Sequence, residues 1–271
     1  MIGQAKRLYE LQSLFRSNKK ENSNSSIISI TSGKGGTGKS FFAGNIAYAL
    51  AEKGLKILLV DFDINMANQS VLYNIAQKLN LYHYFTYNKS LNDIVFEYNK
   101  NLHLILGESG RFDHPKLDEQ KIKFFITELR SLKNNYDLIL LDTASGIDKS
   151  TIEILLNSDE IILVTTPEPT SVMDAYAIFK LIKNYGSDVK TDVLVNKCFS
   201  EEEGIEAYNN LEKAAKHFLK SKLNHLGNLK FSEKVIQSIK RQKLLIANQK
   251  NEEISMKLQE ISDKLKIHTI G

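Results

Sequence analysis

The stretch TSGKGGTGKS, residues 31–40, concentrates residues able to handle phosphate. Gly33, Gly38, Lys39 and Ser40 fit G-x-x-x-x-G-K-[ST], in which glycines let successive backbone N–H groups turn toward phosphate oxygens. Gly35, Gly36 and Thr37 complete the predicted cradle, and Phe41 follows it into a helix whose N-terminal dipole adds positive potential. Lys39 is placed to reach the β- and γ-phosphates and Ser40 to hold Mg²⁺. A second lysine, Lys34, sits five residues earlier in the same loop, and the cradle does not need it. Phosphate chemistry also calls for carboxylates at strand ends. LLVDFD supplies Asp61 and Asp63, two apart and so on one side of an extended chain, and YDLILLDTASGID supplies Asp142, with Gly146 as a pivot beyond it. VLVNK ends another strand on Asn196 and Lys197, candidate cofactor-binding residues.

These residues need a scaffold that brings several strand ends together. Short apolar runs predict strands over 27–31, 56–61, 102–106, 137–142, 160–166 and 192–196. Several are apolar on both faces, as strands of a helix-covered parallel sheet must be. Helical periodicity fills GKSFFAGNIAYALAEKG (38–54), LDEQKIKFFITELRSL (117–132), TSVMDAYAIFKLIKNYG (170–186) and EEEGIEAYNNLEKAAKHFLKSKL (201–223). The alternation predicts a doubly wound α/β domain with its ligand at the carboxyl ends of the strands.

Residues 3–16 carry Leu8, Leu11 and Phe15 at amphipathic-helix spacing, and SNKKENSNSS (17–26) is polar throughout. The chain therefore divides into an N-terminal helix and linker (1–26) and a domain (27–271). No run approaches the roughly 20 apolar residues of a membrane span, and the N-terminus lacks a secretory signal pattern. One cysteine, Cys198, excludes a disulfide framework and points to a reducing cytoplasm. The net charge of +4 permits anionic partners without arguing for one, so no specific nucleic acid is expected.

KGGTGKS resembles the deviant Walker A motif of the MinD/ParA class of P-loop ATPases. That resemblance implies ATP and Mg²⁺ as ligands, a homodimer formed with ATP, and a Lys34 that reaches the phosphates bound by the partner copy. The alternative is a Lys34 that only adds positive potential to its own loop. The resemblance further implies that Asp63 orients the attacking water, that Asp61 and the Walker B residue Asp142 support Mg²⁺ through water, and that the Asn196 amide reads adenine. Within the class, iron-protein and iron–sulfur scaffold members are excluded because they need paired cysteines.

VTTPEPTSVMDAYAIFKLI (164–182), VNKCFSEEEGIEAYNNLEKAAKHFL (195–219) and QAKRLYELQ (4–12) are similar to stretches of the flagellar number regulators, the FlhG, FleN or YlxH group. Membership implies regulatory ATP hydrolysis, flagellar basal-body or regulatory partners, and an N-terminal helix that acts on an FlhF-type GTPase. Of that helix motif, Gln4, Ala5 and Leu8 survive, while Gly3 and Tyr9 depart from it. LGNLKFSEK lacks the proline and aspartate usual there. The terminal stripe Ile254, Leu258, Ile261 and Leu265 lacks aromatic residues and is expected to pack on the domain, with peripheral membrane contact as the alternative. Two other readings share the switch chemistry: a DNA-partition ATPase using lysines such as Lys213, Lys216, Lys220 and Lys222, and a septum-site regulator.

Overall fold

In chain order the elements are β1 (Ser26–Thr31), α1 (Lys39–Glu52), β2 (Ile57–Phe62), α2 (Gln69–Leu72), α3 (Leu81–Tyr87), α4 (Leu91–Ile94), β3 (Val95–Asn99) and β4 (Leu102–Ile105). Then follow α5 (Glu119–Ser131), β5 (Leu138–Thr143), α6 (Lys149–Leu156), β6 (Glu160–Thr165), α7 (Pro169–Asn184) and β7 (Lys190–Cys198). The chain closes with α8 (Glu201–Leu219), β8 (Asn224–Lys230), α9 (Glu233–Lys240), α10 (Leu245–Asn248) and α11 (Glu253–Ile270). This computed structural model describes residues 26–63, 67–113 and 115–270; the predicted N-terminal helix, with Gln4, Ala5 and Leu8, lies outside them.

The eight strands form one sheet in the order β3-β4-β2-β5-β1-β6-β7-β8. Every pairing is parallel except β3 with β4. The expected doubly wound, mostly parallel sheet is therefore present, with an antiparallel edge. Side chains alternate along the strands, so Ile28, Ile30, Ile57, Leu59 and Leu140 face α1 and α11. Ile27, Leu58, Val60 and Leu141 face α5 on the opposite side, and Ile161, Leu163 and Val193 face α7 and α8 there.

All six predicted strands are found, some shifted by a residue or two. Ser26, assigned to the polar linker, opens β1. β3 was not anticipated, because VFEYN is an edge strand in which no residue is fully buried and Glu97 and Tyr98 are exposed. β8 has no clean alternation either, since Gly227 interrupts NHLGNLK and the register with β7 shifts there. α8 stops at Leu219 rather than 223, where Lys220 enters the left-handed region at φ 52° and ends the helical ladder. The C-terminal stripe packs on the domain as expected: Ile254, Leu258, Ile261 and Leu265 are buried in the same core as α1. Lys53 ties α1 to this helix, pairing with Asp263 and donating to the Gln259 carbonyl at 3.2 Å. Among the described residues no helix is long and apolar enough to cross a membrane.

Candidate nucleotide site

β1, β2, β5 and β7 all end at the same edge of the sheet, and the predicted site residues meet there. The loop after β1 turns through Gly36 and Gly38 at φ 80° and 91°, and Gly38 caps α1. Gly33 is required by close approach, since a Cβ there would lie 2.4 Å from the Asp174 backbone of α7. The loop walls a cavity of about 490 Å³ that also exposes Asp63, Ser145, Asn196 and Lys197. Its far wall is apolar, formed by Val235, Ile236 and Ile239 of α9 with Phe231 before them. A glycine-rich polar loop together with apolar side chains suits a nucleotide.

The two lysines of the loop point to different places. Lys39 is buried, and its Nζ donates to Asp142 Oδ1 at 2.7 Å. Lys34 is partly exposed and does not line the cavity; its Nζ donates to Glu168 Oε2 at 2.5 Å and Thr170 Oγ1 at 3.2 Å. That ammonium holds the Glu168 carboxyl below its ordinary range. Both acceptors belong to the TTPEPTS stretch, so the two most distinctive segments of the sequence touch each other.

The carboxylates are fully buried at the floor. Asp61 and Asp142 are register partners on β2 and β5. Burial first, and the Asp142 charge second, push Asp61 up to about 8, against the pull of the Gln69 and Asn68 backbone N–H groups and Lys39. Those two N–H groups each donate to Asp61 Oδ2 at 2.8 Å, and the Asp63 N–H donates to Oδ1 at 3.3 Å. Asp63 thus stands beside the cavity with its backbone tied to Asp61.

Asn196 donates from Nδ2 to the Thr37 carbonyl at 2.7 Å and accepts the Lys197 N–H at 2.9 Å. Its amide braces the phosphate loop, a role not foreseen for it. A carboxamide has two N–H groups and two lone pairs, so one of each remains for an adenine edge. Lys197 sits at φ 61°, strained for a side chain of its size, and donates to the Gly36 carbonyl at 2.6 Å. The available metal donors are Ser40, Asp61 and Asp142, all hard oxygens, which suits Mg²⁺ held with the help of phosphate and water. Among the described residues no three His, Cys, Asp or Glu side chains converge to hold an ion alone.

Sequence reasoning missed Gln69, Glu168 and Thr170. Gln69 stands in FDINMANQSVL (62–72), a stretch that also resembles the flagellar group, but its residue type alone gives it no role. The other two stood inside a quoted stretch but were not linked to Lys34.

A family profile described as an AAA domain matches residues 25–195. The flagellum site-determining protein YlxH of Helicobacter pylori is 31% identical over 98% of this chain and 90% of its own length. The antiactivator FleN of Pseudomonas aeruginosa is 30% identical, covering 80% of this chain and 78% of that protein. Among solved structures, the septum site-determining protein MinD of Pyrococcus horikoshii, complexed with Mg-ADP, superposes with a TM-score of 0.75 at 23% identity, over 89% of this chain and 96% of that one. The chain belongs to the MinD/ParA family of P-loop nucleotide-binding proteins, with flagellar regulators among its relatives.

Proposed function

We propose that the protein is an ATP-hydrolysing switch that dimerises around ATP and regulates flagellar number or placement in the cytoplasm. The observation that carries this reading is the divergence of the two loop lysines: Lys39 is buried against Asp142, while Lys34 is partly exposed and pairs with the exposed Glu168. A partly exposed lysine can release Glu168 and reach a second copy's phosphates, which makes association depend on the γ-phosphate. There its charge would stabilise the transferring phosphoryl group, as an arginine finger does elsewhere.

In this reading the backbone of Gly33–Gly38 and Lys39 bind the phosphates, and Asn196 with Lys197 orients the base. Ser40, Asp61 and Asp142 would hold Mg²⁺, which when bound neutralises charge on the phosphates. Asp63 orients the attacking water, and turnover is slow because the purpose is timing. The flagellar assignment rests on the two relatives and on the motif stretches. We assign Gln4, Ala5 and Leu8 to contact with an FlhF-type GTPase, and basal-body or regulatory proteins as further partners.

Flagella should be counted in a flagellated strain lacking its own copy and complemented with parent or Lys34→Ala. The parent is expected to restore the normal number and Lys34→Ala to fail at equal protein level. Full restoration by Lys34→Ala would remove the ATP-gated switch from the account. A peptide spanning residues 1–25 should raise GTP hydrolysis by the partner GTPase, and a peptide with Gln4→Ala should not. No stimulation by the parental peptide would rule out this use of the N-terminus.

A further inference from the structure

One fully buried residue touches three parts of the site at once. Gln69, the first residue of α2, is 0% exposed. Its Nε2 donates to Asp142 Oδ2 at 2.8 Å and to the Ser40 carbonyl at 3.0 Å. Its backbone N–H donates to Asp61 Oδ2 at 2.8 Å. One residue therefore connects the start of α1, the end of β5 and the loop that carries Asp63.

The orientation of the amide follows from its neighbours. Both atoms it faces are acceptors, so only the NH₂ end can point at them. That leaves Oε1 buried without a hydrogen-bond partner among the described residues. The oxygen presses on α1 at Gly44, where a Cβ would lie 2.8 Å from it. An apolar residue of the same size would avoid this unpaired oxygen, so the donor function must compensate for it.

What the donor does is set the direction of Asp142. A carboxylate has two oxygens; here Lys39 takes Oδ1 and Gln69 takes Oδ2. Were Lys39 to turn to phosphate, Oδ1 would lose that partner while Gln69 still held Oδ2. We infer that Gln69 is a positioning residue, its carboxamide aiming Asp142 at the metal position and tying that carboxylate to the Asp61–Asp63 loop. This rests on the nucleotide-switch reading above but concerns a residue that reading does not use.

Gln69→Met keeps length and volume and removes the donor. The probe is a fluorescent ADP analogue bound to the full chain, first in EDTA and then across a Mg²⁺ titration, with ATP turnover measured alongside. Gln69→Met should bind the analogue in EDTA within about twofold of the parent, while its half-saturating Mg²⁺ rises about tenfold and turnover falls. Gln69→Glu, which replaces the donor by a third buried carboxyl, should be worse in Mg²⁺ dependence than Gln69→Met. A parental Mg²⁺ midpoint in Gln69→Met would overturn the inference, and so would an equal loss of affinity with and without Mg²⁺, which marks a merely structural residue. A shifted midpoint in a protein whose parent hydrolyses no ATP would keep the inference and remove the enzyme reading. A parent whose ADP affinity ignored Mg²⁺ would overturn both.

Discussion

The two ends of the sheet carry nearly the same set of groups. At the carboxyl end stand Lys39, Asp61, Asp142 and the Gln69 carboxamide; at the amino end stand Lys190, Glu160, Asp192 and the Asn224 carboxamide. At the amino end Lys190 bridges both acids, at 2.9 Å to Glu160 and 3.1 Å to Asp192, while Asn224 closes Asp192 at 2.9 Å. Lys190 itself remains 37% exposed, so water completes the neutralisation. At the carboxyl end Lys39 is only 6% exposed, the carboxamide oxygen is unpaired, and the group opens onto a glycine loop and a cavity. Two acids and a lysine make a structural clasp when every bond is satisfied locally. They become a candidate binding floor when burial, a cradle and unused donor capacity come together.

The largest expected effect breaks the comparison outright. Lys39→Ala removes the phosphate contact and leaves Asp142 buried with less compensation, which costs about 3–5 kcal/mol for a pair of this kind. ADP affinity should fall by at least about 100-fold, read by titration with a fluorescent analogue. Lys190→Ala should leave that affinity unchanged and destabilise the fold less than Lys39→Ala, because Lys190 is 37% exposed although both of its acids are buried. Equal loss of ADP binding in both variants would mean that the two clusters are not functionally distinct.

Glu168→Gln sharpens the contrast between the lysines of the loop. It weakens the exposed contact that holds Lys34 and leaves Lys39 untouched. The ATP-dependent dimer should then form at a protein concentration lower by about two- to fivefold, since exposed pairs hold weakly. Sedimentation across a concentration series checks this, and a dimer that becomes harder to form would show that Glu168 belongs to the interface.

The smallest effect concerns the amino-end clasp. Burial first, then the hydrogen bond with Asp192, raise Glu160 to about 7 from an ordinary 4.5. A raised acid stabilises the fold fully below its ordinary value, and that contribution is lost as pH rises through the folded one. The melting temperature of the parent should therefore drift down between about pH 4.5 and 7, with Asp61 contributing in the same sense, and Glu160→Gln should reduce that slope. The expected change is a few degrees, since 1 kcal/mol moves a domain of this size by about 2–4 °C. An unchanged slope would remove Glu160 from the linkage.

What could be read from the sequence was local. The P-loop spacing and the strand-end aspartates lie within single turns or strands, so the edge of the sheet that carries the site could be named from residue types. The contacts that give the site its character are long-range. Lys34 meets Glu168 across 134 positions, and Gln69 meets Asp142 across 73. No periodicity signals such pairs, because each partner lies in a segment with its own separate reason to exist. The edge strands escaped for a related reason: with one neighbour each, β3 and β8 need less apolar surface than the central strands and show less of the pattern.

The central claim is that Lys34 acts on a second copy of the chain, and solution mass by light scattering tests it most directly. Parent, Lys34→Ala and Asp63→Ala would each be measured with ADP and with ATP. The account predicts a parental dimer with ATP alone, a monomer throughout for Lys34→Ala, and a persistent ATP-bound dimer for Asp63→Ala. A parent that stays monomeric with ATP, or a Lys34→Ala variant that dimerises like the parent, would contradict it.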